Sequence, residues 1–227
     1  MESVVGIKVK ICGLSTQEAV DAAVKGGASH VGFVFARRPA ADSLGVAEAS
    51  ALAMRVPSQV RKVGVFFEQD SVFFDTAIAQ AGLHVLQLHA TDPRQASYER
   101  TRTGRSVWGV VELRTARDLD AGAQWRGAAD RILYDVQTAE CSALAGIPSP
   151  RCDWTLLKGI THPLPWILGG QLDQSNVSEA IAITGATMID VSSCVRNTPA
   201  NKAPDKIAAF LDAVQAMSPT SRRNHRA

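Results

Sequence analysis

A thiol two residues after a lysine and one before a glycine is a combination that can move a proton. The stretch Lys8-Val9-Lys10-Ile11-Cys12-Gly13 reads as a short strand. Alternation puts Ile7, Val9 and Ile11 on one face and Lys8, Lys10 and Cys12 on the other. A lysine one pleat away favours the thiolate, the form that serves as base or nucleophile. A free cysteine can equally be a small buried hydrophobe, so the strand needs partners. Candidates recur in other strand-like runs. Gln87 and His89 share a face, as do Arg131 and Asp135, and as do Asp190 and Ser192. A carboxyl and a thiol whose pKa values are pushed apart can divide acid and base work, which makes Cys12 and Asp135 the leading pair. Two other assignments stand beside it. Cys12 could be a nucleophile with His89 as base. Asp135 could instead pair with Arg131 or Lys10.

The elements that must position these groups alternate regularly. Strand periodicity occurs at 6–12, 30–35, 60–67, 83–89, 106–111, 131–135, 164–168 and 187–191. Helical periodicity occupies most of the intervals, and Ser15-Thr16-Gln17-Glu18 reads as a capping box for the first helix. Further helices are expected near 46–56, 70–81, 92–103, 115–123, 153–159, 173–184 and from Pro204 to about 217. Residues 136–151 form an irregular stretch long enough for an active-site loop. Eight β-α units without a compositional break predict a single (β/α)8 TIM barrel over 1–217, with a doubly wound open sheet as the alternative. In a barrel the C-terminal strand ends form the site. Gly169-Gly170 after strand seven and Ser192-Ser193 after strand eight then fall where such barrels grip phosphate.

Bulk properties narrow the partners. The 227 residues carry a formal charge of +2, and the tail arginines Arg222, Arg223 and Arg226 leave −1 on the rest. That body has no basic field for nucleic acid, and 218–227 reads as a basic, flexible tail. No apolar run reaches the length of a membrane span, and the N-terminus lacks a signal-peptide layout. Cysteines 12, 141, 152 and 194 are spread widely, without a C-x-x-C, which suits reduced thiols in a cytoplasm. Neither they nor His30, His84 and His162 have ligand spacing, so no metal is expected.

Several motifs together are similar to those of the phosphoribosylanthranilate isomerase family. They are Val9-Lys10-Ile11-Cys12-Gly13-Leu14, Gly32-Phe33-Val34-Phe35, Lys62-Val63-Gly64-Val65-Phe66, Leu86-Gln87-Leu88-His89, Asp153-Trp154, Leu168-Gly169-Gly170-Gln171-Leu172, Asn176-Val177 and Asp190-Val191-Ser192-Ser193. The likeness runs over about residues 7–215. It implies a cofactor-free Amadori rearrangement in tryptophan biosynthesis. N-(5-phosphoribosyl)anthranilate would become 1-(2-carboxyphenylamino)-1-deoxyribulose 5-phosphate. By resemblance, Asp135 protonates the ribose ring oxygen and Cys12 removes the C2′ proton. Lys10, Arg37, Arg38, Gln87, His89 and Asp190 are expected to bind substrate. Gly169, Gly170, Ser192 and Ser193 are expected to bind its phosphate. The assembly would be a monomer or a homodimer.

Departures from the family pattern fall mainly in the loops. Asp42 aligns with an arginine held to bind the anthranilate carboxylate, with Arg37 or Arg38 as substitutes from a shifted loop. Gly109 aligns with a strand-five lysine, and Gly146-Ile147-Pro148-Ser149 with a glycine-rich loop. Cys152 replaces a phenylalanine, while Cys194 and Ala90 replace glycines. Two further readings follow from these changes: a related isomerase for a different aminosugar phosphate, or a catalytically impaired barrel serving as a binding module.

Overall fold

The computed structural model describes residues 6–36, 43–67, 70–137, 152–197 and 201–217. Arg37, Arg38, Asp42, Cys141, the 146–149 segment and the basic tail lie outside them. Eight parallel strands close into a barrel in chain order. They are β1 (Lys8–Ile11), β2 (His30–Phe35), β3 (Arg61–Phe66), β4 (Val85–Leu88), β5 (Ser106–Leu113), β6 (Arg131–Val136), β7 (Trp166–Gly169) and β8 (Met188–Val191). The helices are α1 (Gln17–Lys25), α2 (Val46–Ala53), α3 (Ser71–Ala81), α4 (Pro93–Thr103), α5 (Leu119–Ala123), α6 (Val177–Thr184) and α7 (Pro204–Ala216). The open-sheet alternative is thereby set aside, because β1 pairs with β8 through Lys8–Met188 to Ile11–Val191.

Strand alternation divides the apolar residues into two cores. Outward residues such as Ile11, Phe33, Leu86, Ile132 and Leu168 pack with the helices. Inward residues Val63, Val65, Val85, Trp108, Leu133, Ile167 and Met188 fill the barrel together with Cys12. This interior is plugged by bulky side chains low down, as expected for eight strands, which leaves the polar groups at the C-terminal mouth. Lys10 is the exception in chemistry: it is fully buried inside the barrel, while Lys8, at the start of the same face, is exposed.

Several helix boundaries differ from the sequence expectation for local reasons. Thr16, not Ser15, caps α1, its hydroxyl accepting from the Ala19 amide at 3.2 Å. The Ser15–Glu18 box is therefore one residue out of register. Helix α2 stops at Ala53 because Pro57 biases the chain before it away from helical angles. The expected helix at 153–159 is a short 3-10 turn, Trp154–Leu157, opened by Asp153 and followed by Gly159 at φ 71°. Asp173–Asn176 is a turn, not helix. The Asp173 side chain accepts from the Ser175 and Asn176 amides, and this local bonding competes with helical pairing until α6 begins.

Candidate active site

Lys10 organises the mouth. Its ammonium donates to both carboxylate oxygens of Asp190, at 2.9 and 2.8 Å, and lies near enough to the Cys12 thiol for the two to interact electrostatically. The β1–β8 register places Lys10 directly beside Asp190, so the pair follows from strand closure. Burial opposes the Lys10 charge, but Asp190 and Cys12 outweigh it and raise its pKa. Cys12 follows β1 by one residue and is 6% exposed. Burial pushes its thiol up; the Lys10 charge acts against this without cancelling it. The neighbour of Cys12 is thus an ammonium.

Asp135 stands near the top of β6, three strands round the wall from β1 through β7 and β8. Its carboxyl is pushed above the ordinary range by burial, against a hydrogen bond at 3.0 Å from the Gln137 amide. Arg131 begins the same strand, four residues lower, or about 13 Å at a strand rise. It therefore sits at the opposite end of β6 from Asp135, contrary to placing both at the mouth. The inward neighbour of Asp135 is Gly169, which adds no side chain there.

Gln87 and His89 come together on the third side. The Gln87 amide nitrogen lies 3.0 Å from His89 Nε2, and Gln87 Oε1 is buried without a donor among the described residues. Phe67 stacks on the His89 ring at 4.4 Å. Burial, with Lys10 nearby, pushes the His89 pKa down to about 4, so the ring is neutral at neutral pH. On the far side, Gly170 adopts φ 99°, and a Cβ there would lie 2.0 Å from the Val136 carbonyl oxygen. Only glycine fits that turn. Ser192 and Ser193 follow β8, and both the carbonyl and hydroxyl of Ser192 accept from Lys202, at 2.6 and 3.0 Å.

The departures now have structural readings. Gly109 faces outward beneath Trp125, where a Cβ would meet the indole at 2.4 Å. A lysine there could not reach the mouth; the inward neighbour is Trp108. Cys194 lies in a right-handed 3-10 turn, Ser193–Val195, so the backbone after Ser-Ser has no need of glycine. Ala90 does occupy a left-handed conformation, φ 49°, which costs an alanine about 1 kcal/mol. Cys152 is buried, its thiol donating to the Val136 carbonyl at 3.1 Å. Among the described residues no group of three His, Cys, Asp or Glu could hold a metal, and no helix is long and apolar enough to cross a membrane. Lys202 escaped sequence reasoning: it follows the last strand, in a stretch without periodicity.

Two half-buried imidazoles give the barrel an acid-sensitive stability. His30 is held to a pKa of about 3, chiefly by burial and then by Lys10 and Arg131; His89 is held to about 4. Both lie below the unfolded value of 6.5. Above pH 6.5 neither state takes up a proton. Below it the unfolded chain does so first, and stability falls by about 1.4 kcal/mol per pH unit per group until the folded pKa is reached. Denaturant titrations from pH 7 to 4 should show this decline, with a shallower slope in His30→Gln.

A closed (β/α)8 wall with a thiol and a carboxyl toward its C-terminal end, and a glycine turn after β7 beside a Ser-Ser turn after β8, is the architecture of a barrel enzyme. The sequence profile described as N-(5′-phosphoribosyl)anthranilate isomerase matches residues 9–213. The protein of that name from Zymomonas mobilis subsp. mobilis is 42% identical over 213 residues, 93% of this chain and 99% of the relative. The one from Rhodospirillum centenum is 38% identical over 213 residues, again 93% and 99%. The crystal structure of the Thermotoga maritima phosphoribosyl anthranilate isomerase superposes with a TM-score of 0.81 at 26% identity, covering 93% of this chain and 100% of that one. The chain belongs to the N-(5′-phosphoribosyl)anthranilate isomerase family, enzymes of tryptophan biosynthesis.

Proposed function

We propose that the protein converts N-(5-phosphoribosyl)anthranilate to 1-(2-carboxyphenylamino)-1-deoxyribulose 5-phosphate, with Asp135 as general acid and Cys12 as general base. The observation that carries the assignment is the placement of Cys12 and Asp135 on the inward face toward the C-terminal ends of β1 and β6; burial raises both groups, so Asp135 tends to hold its proton and Cys12 becomes a strong base once ionised. Asp135 gives its proton to the ribose ring oxygen, and the C1′–O bond breaks as the nitrogen lone pair forms an iminium. The Cys12 thiolate takes the C2′ proton, and the released electron pair makes the C1′–C2′ double bond of an enolamine. Protonation at C1′ and loss of the C2′ hydroxyl proton complete the ketone. The iminium is the electron sink, so the reaction needs neither metal nor organic cofactor.

The remaining mouth residues take binding roles. Lys10 and Asp190, locked together, present a neutral pair that orients Cys12. Gln87 Oε1 can accept from a ribose hydroxyl, with neutral His89 beside it. Gly169, Gly170, Ser192 and Ser193 line the phosphate end. Arg37 or Arg38 would meet the anthranilate carboxylate. The crystal structure of a phosphoribosyl anthranilate isomerase in complex with reduced 1-(o-carboxyphenylamino)-1-deoxyribulose 5-phosphate, 25% identical with a TM-score of 0.76, supports a ligand of this chemistry in this barrel. One Thermotoga maritima relative is described as dimeric, which supports a homodimer alongside the monomer. A cytoplasmic location goes with this reading.

Catalysis requires one proton shared between the two groups: on Asp135, with Cys12 ionised. Both are protonated at low pH and both are bare at high pH, so kcat/KM should be bell-shaped. The acid limb should lie above the ordinary carboxyl value of 3.8, and the basic limb above the ordinary thiol value of 9.0. The profile is measured on freshly prepared N-(5-phosphoribosyl)anthranilate, beside an aminosugar phosphate lacking the carboxylate. A higher kcat/KM for the latter would replace the substrate assignment; a limb near pH 6.5 would transfer the base role to a histidine.

A further inference from the structure

Lys202 is a buried cation whose charge no described residue balances closely. It is 4% exposed and lies on the segment leading into α7, bridged to Arg196. Its hydrogen bonds go to two uncharged oxygens, the Ser192 carbonyl and hydroxyl. Among the described residues no carboxylate comes within ion-pair distance of it; the nearest candidate in the mouth, Asp190, is engaged by Lys10 on both oxygens. Its side chain also reaches the turn after Cys12. A Cβ on Gly13 would sit 3.2 Å from its Cε and 3.5 Å from its Nζ. One lysine therefore ties the turn after β1 to the turn after β8.

The turn it holds is unusual. Ser192 has φ −136° and ψ −74°, outside the broad strand and helix regions. Two hydrogen bonds from one ammonium fix that residue, and with it the start of the Ser193–Val195 turn. Burying an ammonium beside neutral acceptors is costly unless a negative group completes the site. The residue that holds Ser192, part of the expected phosphate grip, is thus both a clamp and a charge awaiting a counter-charge.

We propose that Lys202 is a positioning residue for the phosphate end of the substrate, clamping the β8 turn through Ser192 and supplying the positive charge that the bound dianion balances. The inference rests on the proposed function for the identity of the dianion, but not for its charge. The groups facing Lys202 are Cys12 and Lys10 from β1 and its turn, Asp190 from β8, and Arg196 from the bridged segment. Burial first, then Arg196, lowers its pKa to about 8, with Cys12 and Asp190 opposing. Anion affinity should accordingly be full below pH 8 and weaken above it.

The test is sulfate binding by the full chain from pH 6.5 to 9.5, since sulfate keeps its charge throughout, together with steady-state kinetics. In the native protein affinity should fall toward about tenfold per pH unit above pH 8. K202R should bind sulfate without that fall, because arginine stays charged. K202M should bind weakly and without the fall, and should raise KM about 10- to 100-fold with a far smaller change in kcat. A K202M protein that binds sulfate as the native one does, or loses kcat with KM unchanged, overturns the inference. If K202M does not fold, K202R decides: a persisting fall through pH 8 excludes Lys202 as its source. Should the native protein not isomerise phosphoribosylanthranilate, the functional reading fails, and the sulfate arm still judges Lys202 separately.

Discussion

Asp135→Asn is expected to lower kcat by about 10²- to 10⁴-fold, the ordinary contribution of a positioned general acid, with a small effect on KM. The amide cannot give up a proton to the ribose oxygen, yet it keeps the shape of the side chain and the contact with Gln137. Cys12→Ser should cost a similar factor for a different reason. A serine hydroxyl is nearly isosteric and can still accept from Lys10, but it does not ionise in the working range. Because ring opening and C2′ deprotonation are successive steps on one substrate, the two losses should not simply multiply in the double variant. The measurement is kcat and KM for each variant under one buffer, with melting temperature as a control for folding.

The second large effect is on stability, and it falls on Lys10 and Asp190. Their side chains are 0% and 8% exposed, with Nζ and Oδ2 at 2.8 Å. Replacing either alone strands the other's charge inside the barrel, which costs about 3–5 kcal/mol. That is a large share of the roughly 5–15 kcal/mol that separates a folded domain from its unfolded chain. Lys10→Met with Asp190→Leu together should recover much of the loss, since an apolar pair of similar volume avoids the desolvation. Activity should not recover, because Cys12 loses the ammonium that favours its thiolate. Urea denaturation of the two single variants and the double one yields the coupling energy; additive losses would show that the pair is not a unit.

Much of the fold was legible because strand and helix periods differ and eight units alternate without interruption. Strand ends were legible too: the inward face of β4 carries Gln87 and the face of β6 carries Asp135, as alternation requires. What alternation could not supply is the partner of each group. Lys10 meets Asp190 only because the first and last strands close the wall, a contact across 180 positions of sequence. Lys202 enters from a segment with no period at all. Alternation assigns Arg131 to the right face but not to an end, since a face says nothing of height along the strand, and it lies at the start of β6. Gly109 aligned with a lysine but faces outward under Trp125, a distinction of one residue that inverts the side. The Ser15–Thr16 pair offers two equivalent caps in sequence, and the structure uses Thr16. The arginines expected to meet the anthranilate carboxylate, Arg37 and Arg38, lie outside the described residues.

Turnover of N-(5-phosphoribosyl)anthranilate by the native chain, set beside the Cys12→Ser/Asp135→Asn double variant of matched melting temperature, bears most directly on the assigned chemistry. The native chain should form the deoxyribulose product, and the double variant should fall by at least the larger of the two single losses. A double variant that keeps the native rate, or a native chain that forms no such product, would contradict it.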